Sequence, residues 1–346
     1  MNGFSEAVLG VRRMLEGGPA LRLAPGAPAE LRAGVGAVVQ TSGSSGAGRL
    51  VVLSRAALLA AAAASRQRLG ADLTWHLALA PHYVAGLMVL VRSLAGGRQP
   101  VPAAGDLSDL EATGDGDAVS IVPTQLHRAL ADPRTSGRLA RFDAVLVGGA
   151  ALAPDLRGRA LDAGVRVIET YGMSETCGGC VWDGVPLPGV DVRILPHEKA
   201  PEGSGCIALA GPMLFDGYLG EPAATARALV DGALLTSDFG RFAGGHLTVG
   251  GRLDDVVITG GVNVDLAEVR RAVGLLDPDA AVLAVPDAEW GVRIVLFSHL
   301  GDLQWWRGEL ELPRTSLPRQ FVQVDAVPRT AGGKPDRAKL LALVES

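Results

Sequence analysis

Lysine is nearly absent from this sequence. Of its 32 basic residues only Lys199, Lys334 and Lys339 are lysine, and the other 29 are arginine. A chain that writes its surface cations as arginine makes each surviving lysine a candidate for work a guanidinium does badly. Cysteine is equally scarce. Cys177, Cys180 and Cys206 in 346 residues cannot build a disulfide framework, so the expected compartment is a reducing cytoplasm. Long apolar runs are missing too: Ala56 to Ala64 is the longest, far short of the ~20 residues that cross a bilayer. Glu6 and the Arg12-Arg13 pair stand where a secretory apolar region would lie, so no signal peptide is expected. There is no surplus of positive charge. The net charge of −5 gives no footprint for nucleic acid. No repeat period and no heptad run is present. What is there is 48% hydrophobic residues and 20% charged, enough to bury a sizeable core in about two domains.

Hydrophobic periodicity orders the chain. Phe4, Val8, Val11 and Leu15 recur at helical spacing before Gly17-Gly18. Ala37–Thr41 reads as a strand, followed by a glycine-serine loop and a second strand, Leu50–Leu53; Ser54 then caps an alanine-rich helix. Strands near 75–80, 119–122, 144–147 and 165–169 alternate with helices near 84–94, 125–131 and 154–163. That alternation predicts an α/β domain with a largely parallel sheet. After about residue 185, short apolar runs broken by Gly, Pro and Asp predict a small β subdomain, about 186–251. From Arg252 onward the pattern is α+β. Asp265 and Glu268 form a capping-box pattern, strands fall near 281–285, 292–298 and 321–324, and a last helix begins at Pro335. The fold class expected is therefore α/β, with a large N-terminal α/β domain (1–251) carrying the β subdomain and a small α+β C-terminal domain (252–346).

Three segments could carry chemistry. In Thr41-Ser-Gly-Ser-Ser-Gly-Ala-Gly-Arg49, glycines let backbone N–H groups converge and hydroxyls add donors, a cradle for polyphosphate. It has no lysine and runs into a strand, which excludes a Walker A loop; its bland reading is a hairpin turn. Glu169-Thr-Tyr-Gly-Met-Ser-Glu-Thr176 follows a predicted strand at the edge where α/β proteins bind ligands. Glu175 there offers a hard oxygen to Mg²⁺, or is a solvated loop carboxylate. Val147-Gly-Gly-Ala-Ala151 ends another strand with residues small enough for a flat ring to lie on the backbone, or is a tight turn.

Taken in order, Thr41–Arg49, Tyr171–Thr176, Leu235-Thr-Ser-Asp238, Gly251-Arg-Leu-Asp-Asp255 and Pro328-Arg-Thr-Ala-Gly-Gly-Lys334 resemble the motif series of the adenylate-forming superfamily. Acyl-CoA synthetases, luciferases and peptide-synthetase adenylation domains make up that group. Gly211-Pro-Met and Gly217-Tyr218 resemble another of its motifs. Pro81-His-Tyr-Val-Ala-Gly86, Val147–Ala151 and Tyr171–Cys180 are most similar to short actinobacterial o-succinylbenzoate–CoA ligases of menaquinone biosynthesis.

The resemblance implies ATP, Mg²⁺ and CoA as cofactors and co-substrates and 2-succinylbenzoate as the acid. Thr41, Ser42, Gly43, Ser44, Ser45, Gly46 and Arg49 are then expected at the ATP phosphates, with Thr176 near them and Glu175 on the metal. Gly148, Gly149, Ala150, Tyr171 and Gly172 are expected around the adenine, and Asp238 and Arg252 at the ribose. Lys334 corresponds to the catalytic lysine on a mobile small domain, with Asp254 as hinge and Gly260-Gly261 along the CoA channel. His82 matches the gate of an acyl pocket that Gly149, Tyr171, Gly172 and Gly178 would line. The Cys177-Gly-Gly-Cys180 spacing has no second pair and is not read as a zinc site.

Two departures from the family pattern stand out. Gly48-Arg49 replaces the usual Pro-Lys at the end of the phosphate loop, and little chain precedes that loop. A homodimer that completes the substrate face is an expectation drawn from the second. A ligase for another aryl or acyl acid, a stand-alone adenylation domain loading a carrier protein, and an inactive nucleotide binder remain open as rivals.

Overall fold

The computed structural model describes residues 3–28, 30–41, 48–329 and 335–345. The chain forms two compact units. The first comprises residues 1–193, 208–235 and 242–247, and the second 194–207, 236–241 and 248–346.

In the first unit, Val35–Gln40 and Leu50–Ser54 are antiparallel arms, with Val38 opposite Val52. They belong to a four-stranded sheet with Leu21–Arg22 and Gly217–Tyr218 on its edges. Ser54 is the expected cap: its Oγ accepts from Ala57 N at 3.1 Å and opens helix Arg55–Leu69. Ala57, Ala61 and Ala62 put the buried side of that helix against its neighbours.

A seven-stranded sheet forms the frame of this unit. Its order is Val185–Pro186, Gly178–Trp182, Val167–Met173, Ala144–Val147, Asp117–Ile121, Thr74–Leu77, Val101–Pro102. The last five strands are parallel and the first two antiparallel to their neighbours. Every residue of Asp117–Ile121 and Ala144–Val147 is buried, the pattern of parallel strands covered on both faces. Helices Val84–Ala95, Pro123–Ala131, Pro133–Leu139 and Pro154–Asp162 lie between them in sequence. Leu126, Leu139, Phe142, Val145 and Val147 share one core cluster. Ile121 pairs with Val147 and Val147 with Glu169. Their parallel direction brings residues 122, 148 and 170 out along one edge.

In the second unit, Gly291–Ser298 runs antiparallel to Ala281–Asp287 and parallel to Gln320–Gln323. Its alternate residues serve two cores. Ile294 and Leu296 pack with Val269, Val273 and Trp306, while Val295 and Phe297 pack with Leu283 and Leu340. Hairpin Val256–Thr259/Val262–Asp265 precedes helix Leu266–Leu276.

Two strands were not anticipated from sequence, and two expectations are corrected. Gly178–Trp182 is a strand, because pairing with Val167–Met173 overrides the poor strand propensity of two glycines. Leu235–Asp238 sits inside the long strand Ala233–Ala243. Asp265 Oδ1 accepts from Ala267 N at 2.8 Å as a simple cap, without the reciprocal half of a capping box. The last helix begins at Arg337, two residues after Pro335.

Candidate active site

The carboxyl edge of the parallel sheet collects several of the predicted residues of the first unit. Thr74–Leu77 leads toward His82, Ala144–Val147 into Gly148-Gly149-Ala150, and Val167–Met173 contains Tyr171 and Gly172 and runs into the 3₁₀ turn Ser174–Thr176. One residue not picked out from sequence ties this edge together. Gln125 Oε1 accepts from Val122 N at 2.9 Å, and its Nε2 donates to Gly105 O at 2.7 Å and Ala78 O at 3.2 Å. It thereby clamps the exits of three neighbouring strands.

Gly172 is fixed by close approach. Any Cβ there would collide with the carbonyl oxygen of Gly178 across the strand pair. Thr176, 1% exposed, spends its hydroxyl on the turn's own backbone: it donates to Gly178 O at 2.7 Å and accepts from Met173 N at 2.9 Å. That locks the turn carrying Glu175.

Glu175 is buried rather than solvated. Its Oε1 accepts a 2.8 Å hydrogen bond from the phenol of Tyr218. Among the described residues Oε2 has no hydrogen-bond or ion-pair partner. A carboxylate oxygen left open at a ligand-binding edge suits Mg²⁺, which takes one or two carboxylate oxygens and fills its shell with phosphate and water. Burial and the neighbouring Glu175 carboxylate push the Tyr218 phenol well above its ordinary pKa, so it stays a donor.

The phosphate loop is closed at its neck. Thr41 N donates to Arg49 O at 2.9 Å, and Arg49 N returns a 2.9 Å bond to Thr41 Oγ1. The Arg49 guanidinium lies 5.0 Å from the centroid of the Tyr218 ring and 3.4 Å from Glu221. Ser42, Gly43, Ser44, Ser45 and Gly46 lie outside the described residues, as does Lys334.

His82 stacks on Tyr83 with ring centroids 4.3 Å apart, both exposed. Cys177 and Cys180 are buried, and burial raises both thiols, Cys180 to about 12. They are neutral thiols at physiological pH, not thiolate nucleophiles.

In the second unit Asp238 keeps a carboxylate 13% exposed, with Arg252 Nη1 3.6 Å from its Oδ1. The same guanidinium reaches Asp254 Oδ2 at 3.0 Å. Asp238 N donates to Thr236 Oγ1 at 3.1 Å, which holds the Asp238 backbone in place. Gly260 and Gly261, at φ +57° and +78°, form the two-residue turn of the 256–265 hairpin, where both central residues need positive φ. Gly260 N donates to Trp290 O at 3.0 Å.

Residues 28–219 match the AMP-binding enzyme family model. A probable 2-succinylbenzoate–CoA ligase of Mycobacterium tuberculosis is 39% identical over 329 residues, covering 89% of this chain and 84% of that protein. Among solved structures, o-succinylbenzoate CoA synthetase from Bacillus subtilis with its acyl-adenylate intermediate superposes with a TM-score of 0.76. It is 25% identical, covering 88% of this chain and 69% of that one. The same enzyme with ATP and magnesium gives a TM-score of 0.75 at 25% identity, covering 90% and 72%.

Proposed function

The chain belongs to the AMP-binding enzyme family, and we propose that it ligates 2-succinylbenzoate to coenzyme A at the expense of ATP. The choice of acid is supported by the likeness to 2-succinylbenzoate–CoA ligases. The chemistry is supported above all by Glu175, a buried carboxylate with one oxygen bonded and the other without a partner among the described residues, at the ligand edge of the sheet.

The reaction has two steps. A carboxylate oxygen of the acid attacks the α-phosphorus of ATP, and the bond to the β-phosphate breaks, releasing pyrophosphate and the acyl-adenylate. The thiol of CoA then gives up its proton and attacks the acyl carbon, and AMP leaves. Mg²⁺, held through Glu175, neutralises the phosphates when bound.

In this reading the residues divide the work. Thr41 to Gly46 and Arg49 hold the β- and γ-phosphates. Thr176 keeps Glu175 aimed by fixing its turn. The Gly148–Ala150 backbone and Tyr171-Gly172 flank the adenine. Asp238 takes the ribose hydroxyls as a hydrogen-bond acceptor, with Arg252 beside it. His82, Gly149 and Gly178 line the acid's pocket. Lys334 supplies a compact cation where charge develops on the α-phosphate and attacking carboxylate. Asp254 acts as hinge between bodies 1–251 and 252–346, and Gly260-Gly261 leave room for the CoA arm.

No helix among the described residues is long and apolar enough to cross a membrane. We place the enzyme in the cytoplasm, as a homodimer, which sedimentation of the purified chain tests. The decisive experiment for the activity is exchange of labelled pyrophosphate into ATP, dependent on 2-succinylbenzoate. Exchange with another acid alone would overturn the substrate while keeping the class, and no exchange with any acid would overturn both. Release of free acyl-CoA separates ligation from loading of a carrier protein.

A further inference from the structure

We propose that Tyr218 is a positioning residue for adenylation: its phenol fixes the metal-binding carboxylate of Glu175 and joins that carboxylate to the neck of the phosphate loop. The proposal rests on the adenylating reading above. It assigns a role to a residue that the motif Gly217-Tyr218 marks but whose chemistry neither sequence nor family likeness specified.

Three observations carry it. First, the phenol donates to Glu175 Oε1 at 2.8 Å, and the carboxylate is buried, so this bond selects one orientation and leaves Oε2 without a partner among the described residues. A hydrogen bond to a charged acceptor in a half-dry site is strong. Second, the ring itself is held. Tyr218 N donates to Thr225 Oγ1 at 2.8 Å, its strand pairs with Val51, and Phe215 meets the ring edge-to-face at 4.9 Å. Phe215 N donates to Glu175 O at 2.8 Å, so the same segment grips the backbone of the residue whose side chain Tyr218 grips. Third, Arg49 lies 5.0 Å from the ring centroid, and Arg49 is the residue that closes the loop neck against Thr41. Cation and carboxylate are thus set on one aromatic platform, Arg49 over its face and Glu175 at its hydroxyl. Anchoring both to one rigid ring preorganises the donor set for a metal–polyphosphate before it arrives.

The test uses the full chain and Tyr218→Phe, which keeps the ring, the Phe215 contact and the Arg49 stacking and removes only the hydroxyl. Mn²⁺ binding to the protein with a non-hydrolysable ATP analogue is read by electron paramagnetic resonance, and Mg²⁺ activation by pyrophosphate exchange. The expected result is a loss of metal affinity of about tenfold, the factor for one hydrogen bond to a charged group. Analogue binding without metal should stay within twofold, and kcat should recover at saturating Mg²⁺. In a Glu175→Gln background, Tyr218→Phe should add nothing further. Unchanged Mn²⁺ affinity overturns the proposal. So does an equal loss with and without metal, or an equal loss in the Glu175→Gln background, since a merely structural tyrosine behaves that way. The Mn²⁺ measurement needs no acid, so a wrong substrate leaves it intact. A wild-type chain that binds no Mn²⁺–analogue complex would instead sink the adenylating reading itself.

Discussion

Gly172→Ala is the sharpest perturbation of the site's frame. The added Cβ would collide with the carbonyl oxygen of Gly178 and would sit 2.8 Å from both the Gly178 carbonyl carbon and Gly179 Cα. All three atoms are backbone on the adjacent strand, so no side chain can swing away. Relief requires the Gly178–Trp182 strand to move from Val167–Met173, and the two flank the turn that carries Glu175 and Thr176. Restoring ordinary van der Waals distance displaces that turn by about 1 Å, a misplacement that costs on the order of 100-fold in rate. Overpacking adds about 1–3 kcal/mol of destabilisation. The assay is pyrophosphate exchange at saturating ATP and acid, beside urea unfolding to confirm a folded chain. A loss near 100-fold with a cooperative unfolding transition is the expected result. Activity within threefold of the parent, at unchanged stability, would refute the close-approach argument.

Further consequences are testable. His76 Nε2 and Asp117 Oδ1 lie 2.8 Å apart, both side chains 1% exposed, and Asp117 also accepts from Thr113 Oγ1 and Gly114 N. Burial acts to raise the Asp117 pKa, but the bond to His76 and those from the Gly114 and Thr113 region outweigh it and hold the group below its ordinary value. Its contribution to stability is therefore full above the ordinary pKa of about 3.9 and is lost as pH falls through the depressed folded value. Asp117→Asn should cost about 1–3 kcal/mol at neutral pH. The difference from the parent should shrink in acid, as measured by urea unfolding between pH 3 and 7; a difference constant across that window would refute the assignment. Gly274→Ala, in the last turn of helix Leu266–Leu276 with open space around it, should raise the second unit's stability by about 0.4–1 kcal/mol in thermal unfolding, chiefly by reducing the freedom of the unfolded chain; a destabilised variant would count against that helix. Lys334→Ala should abolish adenylate formation yet spare thioesterification of supplied acyl-adenylate, checked by running the two half-reactions separately.

The frame of this molecule was legible because its signals are local. Ser54 caps the helix that follows it, and Ala144–Val147 is an uninterrupted apolar run of the kind a covered parallel strand requires. The edge where ligands gather followed from that alternation alone. Two strands were hidden for a physical reason. Gly178-Gly-Cys180 lacks the branched side chains that mark strands, and it is made a strand by its partner rather than by its own preference. Leu235–Asp238 read as an isolated motif because the apolar pattern around it is broken by Thr236, whose hydroxyl is satisfied by Ile207 O at 2.8 Å.

The site's electrostatics were illegible for a different reason: they depend on pairs far apart in sequence. Glu175 and Tyr218 are separated by 43 positions. Sequence alone offered Glu175 as either a metal-binding or a solvated loop carboxylate, and Tyr218 only as part of a motif resembling one of the superfamily's. Neither residue type reveals that one carboxylate oxygen is occupied and the other without a partner among the described residues. That distinction matters chemically, because one oxygen held by a donor gives the carboxylate a fixed direction while the other keeps its lone pairs for a metal. The same logic explains how the loop tolerates Gly48-Arg49 in place of Pro-Lys. A proline stiffens the loop from within by fixing φ. Here the neck is fixed from without, by the reciprocal Thr41–Arg49 bonds and by an arginine whose flat guanidinium can stack on Tyr218 as a lysine's ammonium cannot. Arginine at 49 and lysine at 334 are therefore not interchangeable cations in this chain. The first is suited to being held, and the second, in the proposed cycle, to entering and leaving a phosphate site.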